Sequence, residues 1–243
     1  MTYNFHGKYK PDKITDFKQA QDSDLKKICK FLKTDLPEIT FEVYDTREGK
    51  QDADPNHSIS RASARFKEMT VYRYWEQDND PHYPHEITHL VAHTWSTPYV
   101  FKTELDTWDD KIITREIDMV STSFMQEGLA IAVDDIVFER KLMEVGEHKY
   151  IEDWCRDQID LMPKCLETVI NLDGFGSIEN KVVVPFAASF SKFLLNQFGL
   201  DLYKQMYISL YETASPKKNT DSIKQIYEMS EKTLLQSWKQ NIK

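Results

Sequence analysis

The chain predicts an α+β fold in which one helix and a few strands come first and helices alone follow. Three observations carry this expectation. An amphipathic stretch covers residues 16–33, β-patterned runs lie near 39–44 and 68–76, and helical patterns run in series from Pro84 onward.

Between Asp16 and Lys33, the apolar residues Phe17, Leu25, Ile28, Phe31 and Leu32 recur among charges, so a helix is expected that ends before Pro37. Ile39 to Tyr44 alternates with period two, as a half-buried strand does. Asp45 to Ser60 is rich in Gly, Asp, Asn and Pro and reads as a loop, followed by a short strand over Ser60–Ala64. Glu68 to Glu76 has the β-branched and aromatic content of a strand and stops at the turn signal Asp78-Asn79-Asp80-Pro81. Pro84 suits a first helical position, and His85–Thr94 continues without a breaker. Ser96 to Lys111 reads as irregular. A second helix is expected from about Ser123 to Met143, capped by Thr122 or Ser123. Further helices fall near 150–170, 186–197, 201–212 and 231–240, punctuated by Asp173-Gly174-Phe175-Gly176 and by Gly199.

Composition excludes several function classes. A chain of 243 residues with 40% hydrophobic content can bury one sizeable core, or two lobes packed together. The formal net charge of -9 argues against nucleic acid, which is bound through clustered Lys and Arg. Cys29, Cys155 and Cys165 are too few and scattered for a disulfide framework, and no CxxC pair offers a thiolate metal site. The first residues lack the apolar core of a signal peptide, and no stretch reaches transmembrane length. No membrane insertion is expected, and a reducing cytoplasm is the default compartment, although removal of a leader would leave the same sequence.

The residues that carry chemistry are His85-Glu86-Ile87-Thr88-His89. On a helix, positions i and i+4 share a face, so both imidazoles can reach one ion. Glu86 lies three residues before His89, within reach of a water at that ion. Zinc takes neutral nitrogen ligands and, in catalytic sites, keeps one position open for a water whose pKa falls to about 7. With 7 histidines in the chain, this pattern arises by chance with a probability of about 0.02, so its context has to decide.

A catalytic zinc usually has a third protein ligand. His93 continues the row, but eight residues of helix rise about 12 Å, too far for His85 and His93 to share one ion. A glycine turn and third histidine just after the motif are also absent, because Ala92 and Trp95 hold those places. The better candidate is Glu127, the one acid in the ten residues from Phe124 to Val133. A carboxylate in an apolar helix is costly unless paired or metal-bound. Gly128 costs about 1 kcal/mol against alanine inside a helix, and close approach to the metal-binding helix would explain it. The plainer account places Glu127 near a helix start, where acids are favoured anyway.

The His85-Glu86-x-x-His89 motif followed by Gln126-Glu127-Gly128-Leu129-Ala130 resembles the gluzincin zinc metallopeptidases, specifically the compact peptidase MA-like group. Ala187–Leu195 with Phe198-Gly199 is similar to the family's next helix, and Ser230–Trp238 to its closing helix. The resemblance implies a zincin catalytic domain spanning 1–243. Its N-terminal α/β lobe (1–94) would hold a small mixed sheet beside the active-site helix, and its C-terminal lobe (95–243) would be mainly helical. It implies one zinc ion per chain held by His85, His89 and Glu127, with Glu86 as catalytic base, in the cleft between sheet and helices. It further implies a peptide or protein substrate that pairs with Glu68–Glu76 as an edge strand.

This sequence departs from the family at two places. Ile131 stands where a thermolysin-like chain puts the aspartate that orients a histidine, leaving Asp134 or Asp135 as substitutes. Val184, Pro185 and Phe186 occupy the place of a tyrosine, so the oxyanion donor is sought among Tyr83, Tyr99, His82 and Tyr203. Three classes follow: a zinc peptidase, a zinc-containing peptide-binding module without turnover, and a metal-free helical interaction protein. Intact Glu86 favours the first.

Overall fold

A computed structural model describes residues 1–55, 60–106, 112–141 and 149–242, and its architecture is mixed α+β. The chain forms two compact units, Met1–Met119 and Val120–Lys243.

The first unit opens with strand β1 (Thr2–His6), helix α1 (Pro11–Leu32) and strand β2 (Thr40–Tyr44). Helix α2 (Arg47–Ala53), β3 (Ala62–Arg65), β4 (Thr70–Tyr74) and helix α3 (Pro84–His93) follow, and the hairpin of β5 (Tyr99–Asp106) and β6 (Ile112–Met119) closes it. The four-stranded sheet has the order β1-β2-β4-β3; β1, β2 and β4 run parallel, and β3 is antiparallel to β4. The core is aromatic. Phe17 of α1 lies 4.7 Å from the ring of Trp75 and 6.0 Å from Phe41 of β2, and α1 packs along α3. These rings, with Ile28, Leu32, Val43, Val71, Ile87, Leu90 and Val91, are withdrawn from water.

Four expectations change here. The stretch 45–60 holds α2, because the Thr46 hydroxyl caps it by accepting from the Gly49 N–H at 3.1 Å. Within Ser96–Lys111, read from sequence as irregular, Tyr99–Asp106 forms β5 and pairs antiparallel with β6; residues 107–111, Trp108 among them, lie outside the described residues. β1 extends the sheet in parallel with β2, in a segment with no strand assigned from sequence. Finally, β4 is an interior strand with neighbours on both sides, and the edge beside it is β3.

The second unit is helical: α4 (Ser123–Phe138), α5 (Ile151–Asp157), α6 (Leu172–Gly176), α7 (Asn180–Phe198), α8 (Leu200–Ser209), α9 (Pro216–Tyr227) and α10 (Glu231–Ile242), with short 3₁₀ turns at Ile159–Leu161 and Leu166–Thr168. α4 and α7 pack together at its centre. There Phe124, Phe186, Phe190 and Trp238 are buried, and the indole N–H of Trp238 donates to Ser189 Oγ at 3.0 Å. Gly128 permits the approach of α7, for a Cβ at that position would lie 2.5 Å from the Ala187 carbonyl oxygen. The glycine therefore serves contact with α7, a different helix from the one proposed from sequence.

Among the described residues no helix is long and apolar enough to cross a membrane. Cys29, Cys155 and Cys165 are free thiols.

Candidate metal centre

In the first unit the segment leading into α3 is tied down before the helix begins. Arg73 of β4, itself buried, donates from Nη1 to the Pro81 carbonyl at 2.6 Å and from Nη2 to the Asp80 carbonyl at 3.1 Å. Its guanidinium lies 4.7 Å from the ring centre of Tyr83. From α1, Gln21 donates to the Pro81 carbonyl, and the fully buried Asp24 meets His82 Nδ1 at 2.8 Å. Pro84 then starts α3 with its φ already suited to a helix.

On this anchored helix the motif histidines converge. The Nε2 atoms of His85 and His89 lie 3.1 Å apart, and the rings stand edge to face at 85°. Two nitrogens each ~2.0–2.1 Å from one tetrahedral ion would be separated by about 3.3–3.4 Å, so the pair fits a shared zinc with a small adjustment. His89 is 7% exposed and His85 is half-buried. Glu86, between them in sequence, is also buried.

Phe66 braces the far end of this row. Its ring stacks on His93 at 4.8 Å with 17° between planes and meets His89 edge-on at 6.3 Å. Burial pushes the His93 imidazole below its usual pKa, against an upward pull from Asp118. His93 is thus a buried ring packed on an aromatic, in keeping with its exclusion as a ligand. Phe66 was not singled out in the sequence, because nothing in its neighbourhood marks it.

In the second unit Glu127 sits on α4, half-buried between the buried Gln126 and Gly128. The helix begins at Ser123, which puts Glu127 in the second turn. The preference of acids for a helix start fades within the first turn, so it does not account for this carboxylate. The sequence offers Thr122 or Ser123 as the cap; the Thr122 backbone takes that position, yet its side chain makes no capping bond. Instead the carboxylate of Glu212 accepts from the Ser123 N–H, and also from the Leu172 N–H at 2.7 Å. Burial raises the pKa of Glu212 despite these two bonds.

Several expected helpers are already committed. Asp135, buried, receives the ammonium of Lys192, which also lies 3.4 Å from Glu152, so Asp135 has a partner within its own unit. Tyr203 is fully buried and donates to Ser191 Oγ at 3.0 Å, which makes it a core residue and removes it as an oxyanion donor. His82 is held by Asp24. Tyr99 begins β5 in a half-buried position. Trp95 donates its indole N–H to Thr34 Oγ1 at 3.0 Å.

The sequence matches no model of a known protein family, and no curated protein is a significant match to it.

Proposed function

We propose that the chain is a gluzincin-type zinc metallopeptidase with one zinc per chain, held by His85, His89 and Glu127, and with Glu86 as general base. The observation that carries this reading is the 3.1 Å approach of the two motif imidazoles on a pre-anchored helix. Glu127 joins them through the resemblance of its Gln-Glu-Gly-Leu-Ala surroundings, supported by its second-turn position, which the helix dipole leaves unexplained.

Zinc at these donors would supply Lewis acidity, lowering the pKa of a water and polarising the scissile carbonyl. Glu86 would act as the general base, taking a proton from the attacking water and passing it to the departing amine. The peptide is expected along β3, whose outer edge has no strand partner among the described residues, by main-chain pairing. This moves the substrate strand from β4, the strand implied by the family resemblance, to its neighbour.

Metal analysis of the purified chain tests the ligand set. About one zinc per wild-type chain is expected, with a clear loss in Glu127→Ala. A wild-type chain that takes up no zinc even from excess would leave the histidine pair a coincidence. Glu86→Gln should retain zinc and lose peptide hydrolysis; hydrolysis at the wild-type rate in that variant would refute the assigned base.

A second reading, a zinc-containing peptide-binding module without turnover, draws support from the loss of Tyr203 to the core and from Val184, Pro185 and Phe186. Peptide binding with zinc present and no cleavage of a broad peptide library would select it.

A further inference from the structure

In the second unit a groove of about 450 Å³ lies between residues 162–165 and helix α10. That volume falls within the range of small-molecule sites, about 300–1,000 Å³. Its wall combines an apolar surface, from Met162, Pro163 and Leu235, with the three cations Lys164, Lys232 and Lys239. Helical spacing explains the combination. Lys232, Leu235 and Lys239 sit at i, i+3 and i+7 and form one stripe of α10, while Leu234, Trp238 and Ile242 form another that is buried in the core. The acid in the wall is already committed: Glu231 Oε1 accepts from the Leu166 N–H at 2.6 Å and from the Cys165 thiol at 3.3 Å. These bonds fasten residues 162–165 to the start of α10 and fix the shape of the groove before anything binds. None of the three ammonium groups has an ion-pair partner among the described residues. Three cations thus face one engaged carboxylate, in a chain whose formal net charge is -9.

We propose that this groove binds a small organic anion, a carboxylate or phosphate monoester carried on an apolar body. The anion supplies the counter-charge that the wall itself lacks, and the apolar body covers Met162, Pro163 and Leu235. A neutral ligand would leave the lysines unanswered, and a bare inorganic ion would leave the apolar surface wet. A free molecule is favoured over an anionic membrane surface, because a chain of net charge -9 is repelled by such a surface as a whole. The site lies entirely within Val120–Lys243, so it depends neither on zinc nor on peptide hydrolysis. Cys165 provides a reporter in the wall, being half-buried where Cys29 and Cys155 are buried.

Calorimetric titration of the full chain with octanoate and with octyl phosphate tests this, with chelator present so that neither anion meets zinc. Millimolar or tighter binding of at least one is expected, and the stronger of the two tells carboxylate from phosphate. Octanamide, which lacks the charge, and acetate, which lacks the apolar body, should each bind clearly more weakly. Added salt should weaken binding, since the lysines are exposed. Lys232→Gln combined with Lys239→Gln should weaken it about 5-fold or more; should that variant not fold, Lys164→Gln takes its place. Modification of Cys165 by N-ethylmaleimide, read by peptide mass mapping, should slow as the groove fills, which locates the ligand. Octanamide or acetate binding as well as octanoate overturns the proposal, as does an unchanged affinity in the lysine variant. Binding that leaves Cys165 modification unchanged also overturns it, because the ligand then sits elsewhere. Co-sedimentation with phosphatidylserine-containing vesicles, without binding of either soluble probe, overturns it in favour of a membrane surface.

Discussion

Gly128 shows how a single residue can be read in part from sequence and completed only by packing. Its cost inside a helix marks it as needing a reason, but sequence names no neighbour. The neighbour is α7: a methyl group at Gly128 would sit 2.5 Å from the Ala187 carbonyl oxygen and 2.6 Å from Ser191 Oγ. Ordinarily a helical glycine replaced by alanine gains about 1 kcal/mol. Here the nearest atom belongs to backbone, so α7 has to shift, and overpacking of this kind costs typically about 1–3 kcal/mol. Gly128→Ala is therefore expected to lower stability by about 1 kcal/mol net, measured by urea unfolding. A variant as stable as wild type would mean that the two helices have room to part. Glu127, one residue earlier, was legible for a different reason: a carboxylate between apolar neighbours is conspicuous in sequence whatever lies around it. The fully buried pair of Lys50 and Asp54, 3.1 Å apart, was not legible, because a lysine four residues before an aspartate is common on exposed helices and nothing local announces burial.

At the scale of elements, sequence was most informative where one periodicity persists. α3 and α4 were found because their apolar residues run on without a breaker, and the start of α4 at Ser123 agrees with expectation. α2 was hidden because Gly49, Asp52, Asp54 and Pro55 give its segment the composition of a loop, while Thr46 caps a helix there. α9 was missed although Ser215 caps it by accepting from the Lys218 N–H at 3.2 Å and Pro216 stands at its first position, a readable start signal. The β5–β6 hairpin depends on pairing between strands, which no single window contains. The cap of α4 is the plainest case of long-range information, since Glu212 serves Ser123 from 89 residues away. That carboxyl carries its own prediction. Burial holds its pKa above the ordinary glutamate value, so the fold favours the protonated form. Its stabilisation is complete below about pH 4.3 and is lost as pH climbs through the higher folded-state value. Urea unfolding across this range should show wild type losing stability relative to Glu212→Gln as pH rises. A difference that stays flat with pH, or grows, would contradict the assignment.

The whole molecule divides its proposed chemistry between two units. His85, Glu86 and His89 belong to Met1–Met119, whereas Glu127 belongs to Val120–Lys243. Each unit has a core of its own, with Phe17, Phe41 and Trp75 in the first and Phe124, Phe186, Phe190 and Trp238 in the second. The second also satisfies buried polar groups internally: Asn171 Nδ2 donates to the Glu212 and Ala214 carbonyls, and Asn219 Nδ2 donates to Asn171 Oδ1. A segment with its own hydrophobic core should fold unaided. A fragment of residues 120–243 is accordingly expected to unfold in one cooperative transition. If Glu127 is the third ligand, that fragment carries one zinc donor and the fragment of residues 1–119 carries two, so each should bind zinc far more weakly than the intact chain. Loss of a residue that binds the metal directly costs more than the roughly 10–100-fold lost when a residue that only orients a ligand is changed. Zinc titration by competition with a chromophoric chelator, run on both fragments and on the full chain, measures this directly. Undiminished zinc affinity in residues 1–119 would mean that the third ligand lies within the first unit and that Glu127 is not part of the site.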